Sequence, residues 1–316
     1  MNYLRVYAKF LKKFIKVKYP LRIVFDCSNG TTGLVLKKLF SNYHLLITNY
    51  INAKPDGRFP AHGPNPLTKG ALEDLRLAIE SHRADLGAIF DADGDRVFFL
   101  DDRGRLLSTD AAAVLIGKDF GGPVILDVRS GYLARDWFRN HSRRIIECRV
   151  GHYFIKKLMR KKKIGFAAET SGHYYFKDFF YCDSGIFAAI KLINQLSKIK
   201  DRGLTLSDWI QGLSHYYRIP ETNFRVRDKE AAIERIEQFY KNKARRILKL
   251  DGLRMEFGPP RIKGVLHSVA PQSRAEEWWF NVRPSNTEDL LRLNLEAKEK
   301  RILTAKLAEL KKILGK

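Results

Sequence analysis

Short apolar segments alternate with helical segments along most of this 316-residue sequence, and no other feature limits its fold as strongly. Strands that alternate with helices of such lengths are typical of an α/β layer structure. The first run of alternating segments is predicted to contain a strand at 21–27, a helix at 31–40, a strand at 45–51, a helix at 68–82, a strand at 86–90 and a hairpin at 97–107.

The alternation restarts after Gly121-Gly122 and changes character after Pro220. We therefore expect the α/β fold class, with two successive mixed α/β/α sandwich domains at 19–119 and 120–219, followed by a C-terminal α+β domain at 220–316. Residues 1–18 have apolar residues at helical spacing and are predicted to form a connector helix.

Composition indicates a folded protein of the cytoplasm. The sequence is 45% hydrophobic, no apolar stretch approaches the ~20 residues of a membrane span, and the N-terminus lacks the apolar core of a signal peptide. The three cysteines, Cys27, Cys148 and Cys182, are widely spaced and form no C-x-x-C pair, so they indicate neither a disulfide framework nor a zinc site.

The net charge of +23 arises from 58 Lys and Arg against 35 Asp and Glu, and it attracts anions from sugar phosphates to nucleic acid. Much of the excess lies in local runs at expected helices, which favours solvated helix faces. No nucleic-acid module with interleaved aromatic residues accompanies these runs. Nucleic acid is therefore the least favoured partner.

Asp91, Asp93 and Asp95 directly follow the predicted strand at 86–90. Three carboxylates in a tight loop repel one another, so a bound cation is the expected reason to collect them there. A site with only three carboxylates suits Mg²⁺, which keeps water and substrate phosphate in its other octahedral positions. The glycine at the fourth position of the loop excludes an EF-hand, whereas a solvated acidic turn remains the alternative.

Glu169, Ser171 and His173 follow another predicted strand, at the type of strand end where α/β folds bind ligands. The carboxylate and the hydroxyl are suited to hydrogen-bond neighbouring sugar hydroxyls, and a capped turn that opens a hairpin is an equal alternative.

A second polar loop contains Arg283, Ser285, Asn286 and Thr287. Its guanidinium group, hydroxyls, amide and backbone donors match a phosphate monoester, whose oxygens each need donors. A structural turn capped by the serine and the asparagine is the alternative.

Arg129 and His152 end two further predicted strand regions. The arginine is suited to hold phosphate, and the histidine to act as a general acid or base, although a lone histidine is more often structural. Together the metal-type, sugar-type and phosphate-type loops indicate phosphoryl transfer on a phosphorylated sugar.

Nearly the whole chain resembles the α-D-phosphohexomutases, the phosphomannomutase/phosphoglucomutase group. The motifs that carry the resemblance occur at 26–30, 56–66, 91–96, 151–152, 169–173 and 283–297. The resemblance implies a Mg²⁺-dependent, reversible phosphoryl transfer between the 1- and 6-positions of a hexose phosphate through a bisphosphate intermediate. It favours mannose and glucose phosphates over glucosamine phosphate as partners.

The resemblance also implies residue roles. Mg²⁺ would be bound by Asp91, Asp93 and Asp95, and Arg96 would support the phosphoryl group under transfer. The sugar would be held by Glu169, Ser171 and His173, and the other phosphate by Arg283, Ser285, Asn286 and Thr287. Arg129 and His152 would line the active site, with His152 as a candidate proton carrier.

The family's phosphoserine loop, Thr-x-Ser-His-Asn-Pro, does not occur in the sequence: Ser81-His82 and Ser214-His215 are not followed by Asn-Pro. The chain therefore resembles domains two to four of a mutase, with the connector helix as the remnant of the first. We expect its activity to need a phosphoserine domain that is absent from this chain, either because the chain is truncated or because the first domain is a separate polypeptide. The alternatives are a non-catalytic sugar-phosphate-binding paralogue and, less favoured, a basic nucleic-acid-binding protein.

Overall fold

The computed structural model describes residues 2–259, 276–285 and 288–315. Its secondary structure begins with α1 (Tyr3–Lys12), β1 (Leu21–Asp26), α2 (Thr32–Phe40), β2 (Leu46–Ile51), α3 (Glu73–His82), β3 (Leu86–Phe90), β4 (Val97–Leu100), α4 (Thr109–Gly117), β5 (Val124–Asp127), α5 (Tyr132–Asn140), β6 (Ile145–Cys148) and α6 (His152–Lys162). It continues with β7 (Phe166–Ala168), β8 (Tyr174–Phe176), β9 (Cys182–Asp183), α7 (Gly185–Lys200), α8 (Leu206–Gln211), β10 (Tyr217–Arg218), β11 (Thr222–Arg225), α9 (Lys229–Tyr240), β12 (Arg246–Leu248), β13 (Leu253–Phe257), β14 (Trp278–Pro284), β15 (Leu290–Ala297) and α10 (Lys300–Ile313).

The chain forms two compact units, and each contains two separate segments of the sequence. Unit 1 consists of residues 1–124 and 156–213, and unit 2 consists of residues 125–155 and 214–316. The domain boundaries at 119/120 and 219/220 stay predictions.

Unit 1 contains a mixed sheet in which the described strands follow the order β2-β1-β3-β4. β1 pairs in parallel with β2 and β3, whereas β4 runs antiparallel to β3. Every residue of β3 is buried, which explains its uniformly apolar sequence. The Asp91 loop follows the carboxyl end of this buried strand, which therefore fixes the start of the loop.

The prediction of one helix over residues 1–18 is wrong in its extent. α1 ends at Lys12, and the chain that follows is bonded to α7 instead: the Lys16 amide donates to Asn194 Oδ1 at 2.7 Å. The amides of Lys18 and Tyr19 both donate to Ser197 Oγ at 2.9 Å. Because side chains of α7 satisfy these donors, the segment does not continue as a helix.

The predicted hairpin at 97–107 is also shorter than expected. β4 ends at Leu100, and only an isolated bridge to Leu106 follows before α4 begins. α4 and α8 were not predicted from the sequence.

Unit 2 contains an antiparallel sheet with the described order β10-β15-β14-β13-β12, and β11 also pairs with β15. Side chains alternate across β14: Trp278, Phe280 and Val282 enter an apolar core that α9 and α10 cover. Trp279 lies on the opposite face, where its indole N–H donates to Glu296 Oε1 at 2.8 Å. The mixed sheet of unit 1, the antiparallel sheet of unit 2 and their helices confirm the predicted fold class.

A network of buried and half-buried charges lies on that opposite face of unit 2. Glu256 Oε1 accepts from Arg254 Nε at 2.9 Å, and Glu256 Oε2 accepts from Arg245 Nη2 at 3.0 Å. Glu147 pairs with Arg135 at 2.6 Å and with Arg246. Two carboxylates thereby hold four guanidinium groups contributed by α5, β12, β13 and the residue before β12.

Acid should destabilise unit 2 through this network. Burial alone would raise the pKa of Glu147, but the charges of Arg135 and Arg246 outweigh it and lower the pKa to about 2, from an ordinary value of 4.5. A lowered pKa means that the stabilisation is complete above pH 4.5 and is lost as the pH falls from 4.5 towards 2.

We expect the Glu147→Gln variant to lose part of this acid dependence. Between pH 4.5 and 2.5 its free energy of unfolding should fall less steeply than that of the wild type, by up to about 1.4 kcal/mol per pH unit for one proton. Urea unfolding followed by tryptophan fluorescence at several pH values measures the two slopes. Equal slopes would contradict the role of Glu147.

Among the residues that the structure describes, no helix combines the length and the apolar character that a bilayer crossing requires.

Candidate functional site

The loop after β3 brings three carboxylates together in unit 1. Asp91, Asp93 and Asp95 each offer an oxygen atom, and these oxygens lie within 4.8 Å of one another. Asp91 is buried and fixed: its Oδ1 accepts from the amides of Gly94 and Arg96 at 3.1 Å, and its Oδ2 accepts from Arg96 Nε at 2.6 Å. The structure thus groups the three predicted metal ligands, with one anchored and two accessible.

The electrostatics of the loop favour a cation. Burial, together with the neighbouring charges of Asp91 and Asp93, raises the pKa of Asp95 to about 7 against the opposing effect of His173. A carboxylate so destabilised in its charged form is relieved by a proton or by a metal ion. Oxygen ligands in this number fit Mg²⁺.

Backbone contacts with neighbouring segments also position this loop. The Thr31 amide donates to the Ala92 carbonyl at 3.1 Å, and the Gly185 amide donates to the Gly94 carbonyl at 2.9 Å. A Cβ on Gly30 would lie 2.1 Å from the Ala92 oxygen, and a Cβ on Gly185 would lie 2.8 Å from the Gly94 oxygen. Glycine is therefore required where the neighbouring segments approach the loop.

The sugar-type loop connects β7 to β8, so it is also the hairpin turn of the structural alternative. Glu169 is buried and accepts from the Tyr175 hydroxyl at 2.5 Å, while Ser171 is half-buried. The Val97 amide donates to the Gly172 carbonyl at 3.2 Å, which joins this loop to the metal loop.

His173 lies beside Asp95 of the metal loop and also beside Asp183, which with Lys156 is a residue that sequence reasoning missed. Its Nδ1 lies 3.1 Å from Asp183 Oδ2 and 3.7 Å from Asp95 Oδ2, and Lys156 Nζ lies 2.7 Å from Asp183 Oδ1. Burial alone would raise the pKa of Asp183, but His173 and Lys156 lower it to about 2. Asp183 and Lys156 belong to β9 and α6, so only the fold reveals their contact.

Unit 2 contains the second candidate site, a cluster of arginines around one carboxylate. Glu221 lies 3.9 Å from Arg129, 3.7 Å from Arg283 and 3.7 Å from Arg292. Arg129 also pairs with Asp127 at 2.8 Å. Sequence reasoning found Arg129 and Arg283 but missed Glu221 and Arg292.

The arginine cluster, defined as Arg129, Arg283 and Arg292, has donor capacity for an anion. Burial lowers the pKa of Arg283, and the charges of Arg129 and Arg292 lower it further, although Glu221 opposes them. Within the described part of the chain, the buried Nε atoms of Arg283 and Arg292 have no hydrogen-bond partner. An anion with several oxygens would satisfy these donors.

Of the remaining predicted residues, the structure describes Ser285 and His152. Ser285 is buried beside the cluster, with its Oγ 3.4 Å from Arg292 Nη2. His152 is exposed at the start of α6. Asn286 and Thr287 lie outside the described residues.

Comparison with known families covers nearly the entire chain. The models of the phosphoglucomutase/phosphomannomutase family match residues 3–104 as alpha/beta/alpha domain II, 106–217 as alpha/beta/alpha domain III and 221–313 as the C-terminal domain. The chain belongs to the phosphoglucomutase/phosphomannomutase family. The resemblance inferred from the sequence is therefore confirmed.

Individual relatives agree with this assignment. A phosphomannomutase of Methanocaldococcus jannaschii is 33% identical over 100% of this chain and 66% of its own length. A family protein of Burkholderia thailandensis shares the fold with a TM-score of 0.82 and 24% identity; the match covers 98% of this chain and 64% of that protein. N-acetylphosphoglucosamine mutase of Aspergillus fumigatus, in complex with GlcNAc-6P and magnesium, also shares the fold, with a TM-score of 0.63 and 14% identity. This match covers 98% of this chain and 68% of that protein. The chain spans about two thirds of the length of each.

Proposed function

We propose that this phosphohexomutase-family chain interconverts hexose 1-phosphate and hexose 6-phosphate, with mannose or glucose as the sugar. The observation that carries the proposal is the arginine cluster, in which three guanidinium groups converge on the carboxylate of Glu221, while Arg129 also pairs with Asp127. A phosphate dianion on the substrate would accept from the two buried Nε atoms of Arg283 and Arg292. A chain that contains both the arginine cluster and the acidic loop is suited to phosphoryl transfer.

The residues of the acidic loop fit Mg²⁺. Asp91, Asp93 and Asp95 would hold it, and the ion would neutralise negative charge that develops on the transferred phosphoryl group. Arg96 fixes Asp91 and adds a second positive charge beside the loop. Both effects act by electrostatic stabilisation, which is the main contribution in phosphoryl transfer.

The other loops would bind and orient the sugar. Glu169 and Ser171 would accept and donate hydrogen bonds to its hydroxyl groups, and His173 would contact it beside the metal loop. Arg129, Arg283 and Ser285 would clamp the phosphate that is not transferred, and we extend this role to Arg292. His152 is the candidate that removes a proton from the attacking hydroxyl.

We further propose that the phosphoryl group is delivered by a phosphoserine from outside these 316 residues, through a hexose bisphosphate intermediate. Two alternatives remain: a paralogue that binds hexose phosphate without turnover and a cytoplasmic nucleic-acid binder supported only by the charge of +23. Turnover of glucose 1-phosphate and mannose 1-phosphate, assayed with Mg²⁺ and with or without an added phosphoserine domain, separates the enzyme from the first alternative. Salt-dependent binding of duplex DNA that hexose phosphates do not displace would indicate the second.

Replacing Arg283 with alanine should weaken the binding of glucose 1-phosphate by roughly 10- to 100-fold, because charge-assisted hydrogen bonds contribute about 1.5–3 kcal/mol. Isothermal titration calorimetry on the 316-residue chain measures the change. Arg301→Ala is the matched control, because Arg301 is 75% exposed and lies 3.8 Å from its partner Glu299. Equal losses in the two variants would mean that only the net charge matters and would contradict a specific clamp.

A further inference from the structure

A second group of potential metal ligands lies beside the acidic loop and differs from it in chemistry. Asp95, His173 and Asp183 offer two carboxylate oxygens and one imidazole nitrogen, all within 4.8 Å of one another. The three residues come from the loop after β3, the residue before β8, and β9, so distant parts of unit 1 converge here. All three are half-buried.

The distances match those of ligands that share one ion. Two ligand atoms bonded to Zn²⁺ at 2.0–2.1 Å in tetrahedral geometry lie about 3.3 Å apart. The Nδ1 atom of His173 lies 3.1 Å from Asp183 Oδ2 and 3.7 Å from Asp95 Oδ2, on either side of that value. This buried Nδ1 atom has the two carboxylate oxygens as its neighbours. An imidazole nitrogen between two carboxylates is a donor set for a metal ion.

Lys156 leaves this arrangement intact. Its ammonium group lies 2.7 Å from Asp183 Oδ1, whereas the oxygen that faces His173 is Oδ2. The lysine therefore holds the Asp183 carboxylate in place from one side, as the partners of metal-binding carboxylates commonly do, and leaves the other oxygen available.

We propose that Asp95, His173 and Asp183 form a second cation site, selective for Zn²⁺ or a similar transition-metal ion. Imidazole is a preferred ligand of Zn²⁺, Cu²⁺ and Ni²⁺, whereas Mg²⁺ prefers oxygen ligands alone. Three protein ligands leave a fourth tetrahedral position for water or for an oxygen of a bound molecule.

The two groups share Asp95, which couples them. A Zn²⁺ ion that engages the Asp95 carboxylate withdraws it from the loop formed with Asp91 and Asp93, so Zn²⁺ and Mg²⁺ should antagonise each other. Thermodynamic linkage requires each ion to weaken the binding of the other by the same factor. This antagonism rests on the proposed Mg²⁺ function of the loop, whereas the Zn²⁺ site itself does not.

The test titrates the 316-residue chain at pH 7.5 with ZnCl₂ by calorimetry, and with CoCl₂ by visible absorption, which detects tetrahedral coordination. We expect one Zn²⁺ per chain and a Kd that rises at least 100-fold in His173→Ala and in Asp183→Ala. His44→Ala, a change at an exposed histidine, should leave the Kd unchanged. Cys182→Ser should also bind as the wild type does. Unchanged binding in His173→Ala, or lost binding in Cys182→Ser, would overturn the site.

Asp93→Asn separates this proposal from the proposed function. Asp93 belongs only to the acidic loop, so its replacement should weaken the binding of Mn²⁺ and leave the binding of Zn²⁺ intact. Mn²⁺ serves here as a spectroscopic substitute for Mg²⁺. Loss of Zn²⁺ binding in Asp93→Asn would overturn the second site. Unchanged Mn²⁺ binding in Asp93→Asn with lost Zn²⁺ binding in His173→Ala would overturn the Mg²⁺ loop alone.

Discussion

The Glu256→Gln variant is expected to lose about 3–5 kcal/mol of its free energy of unfolding, because removal of one charge from a buried ion pair leaves the other uncompensated. Glu256 and Arg254 are each at most 3% exposed, and their pairing distance is 2.9 Å. Arg245 lies 3.0 Å away and Arg246 lies 3.4 Å away. Glutamine keeps the volume of the side chain, so the loss reports charge rather than packing.

Urea unfolding of the 316-residue chain, followed by tryptophan fluorescence, measures this loss. The indole of Trp279 makes a suitable probe because the Arg254 guanidinium lies 3.7 Å from the centre of its ring. Glu299→Gln is the matched control: its carboxylate is 60% exposed, 3.8 Å from Arg301, and its loss should cost less than about 1 kcal/mol. Comparable losses in both variants would show that the buried network does not stabilise unit 2.

The Gly30→Ala variant is expected to weaken metal binding at the acidic loop at least tenfold although Gly30 contributes no ligand. The added methyl group would lie 2.1 Å from the Ala92 carbonyl oxygen and 2.8 Å from its carbon, so the loop backbone must move. Overpacking of this kind typically costs 1–3 kcal/mol, and about 1.4 kcal/mol corresponds to a tenfold change in affinity.

Mn²⁺ titration followed by electron paramagnetic resonance measures this affinity. Gly57→Ala is the matched control, because a Cβ at Gly57 meets nothing within 4 Å. We expect Gly57→Ala to bind Mn²⁺ as the wild type does. Wild-type affinity in Gly30→Ala would mean that the loop keeps its geometry without this contact.

Sequence reasoning succeeded where local patterns decide the structure. β3 has the predicted bounds because its uninterrupted apolar run specifies one element. α4 was missed because nearly all of its residues, from Asp110 to Gly117, are buried, so its sequence has no polar face and no helical period. The helix predicted at 1–18 was too long because Asn194 and Ser197, far along the chain, determine where it ends.

The candidate sites likewise divide into residues that a local sequence pattern predicts and residues that meet only in the folded chain. Asp91, Asp93 and Asp95 are neighbours in the sequence, so their spacing alone predicted that they would meet. Glu221 and Arg292 come from separate strands or strand ends and meet Arg283 only in the folded sheet. No local spacing encodes such a contact, and a glutamate among arginines has no distinctive sequence signature.

Glu221 has a consequence for selectivity. Its carboxylate already occupies the neighbourhood of Arg129, Arg283 and Arg292, so an incoming anion must compete with an internal one. Chloride or a simple carboxylate offers no more charge than Glu221 itself and gains little by entering. A phosphate monoester carries about two charges and three acceptor oxygens. We therefore expect the cluster to bind dianions in preference to monoanions.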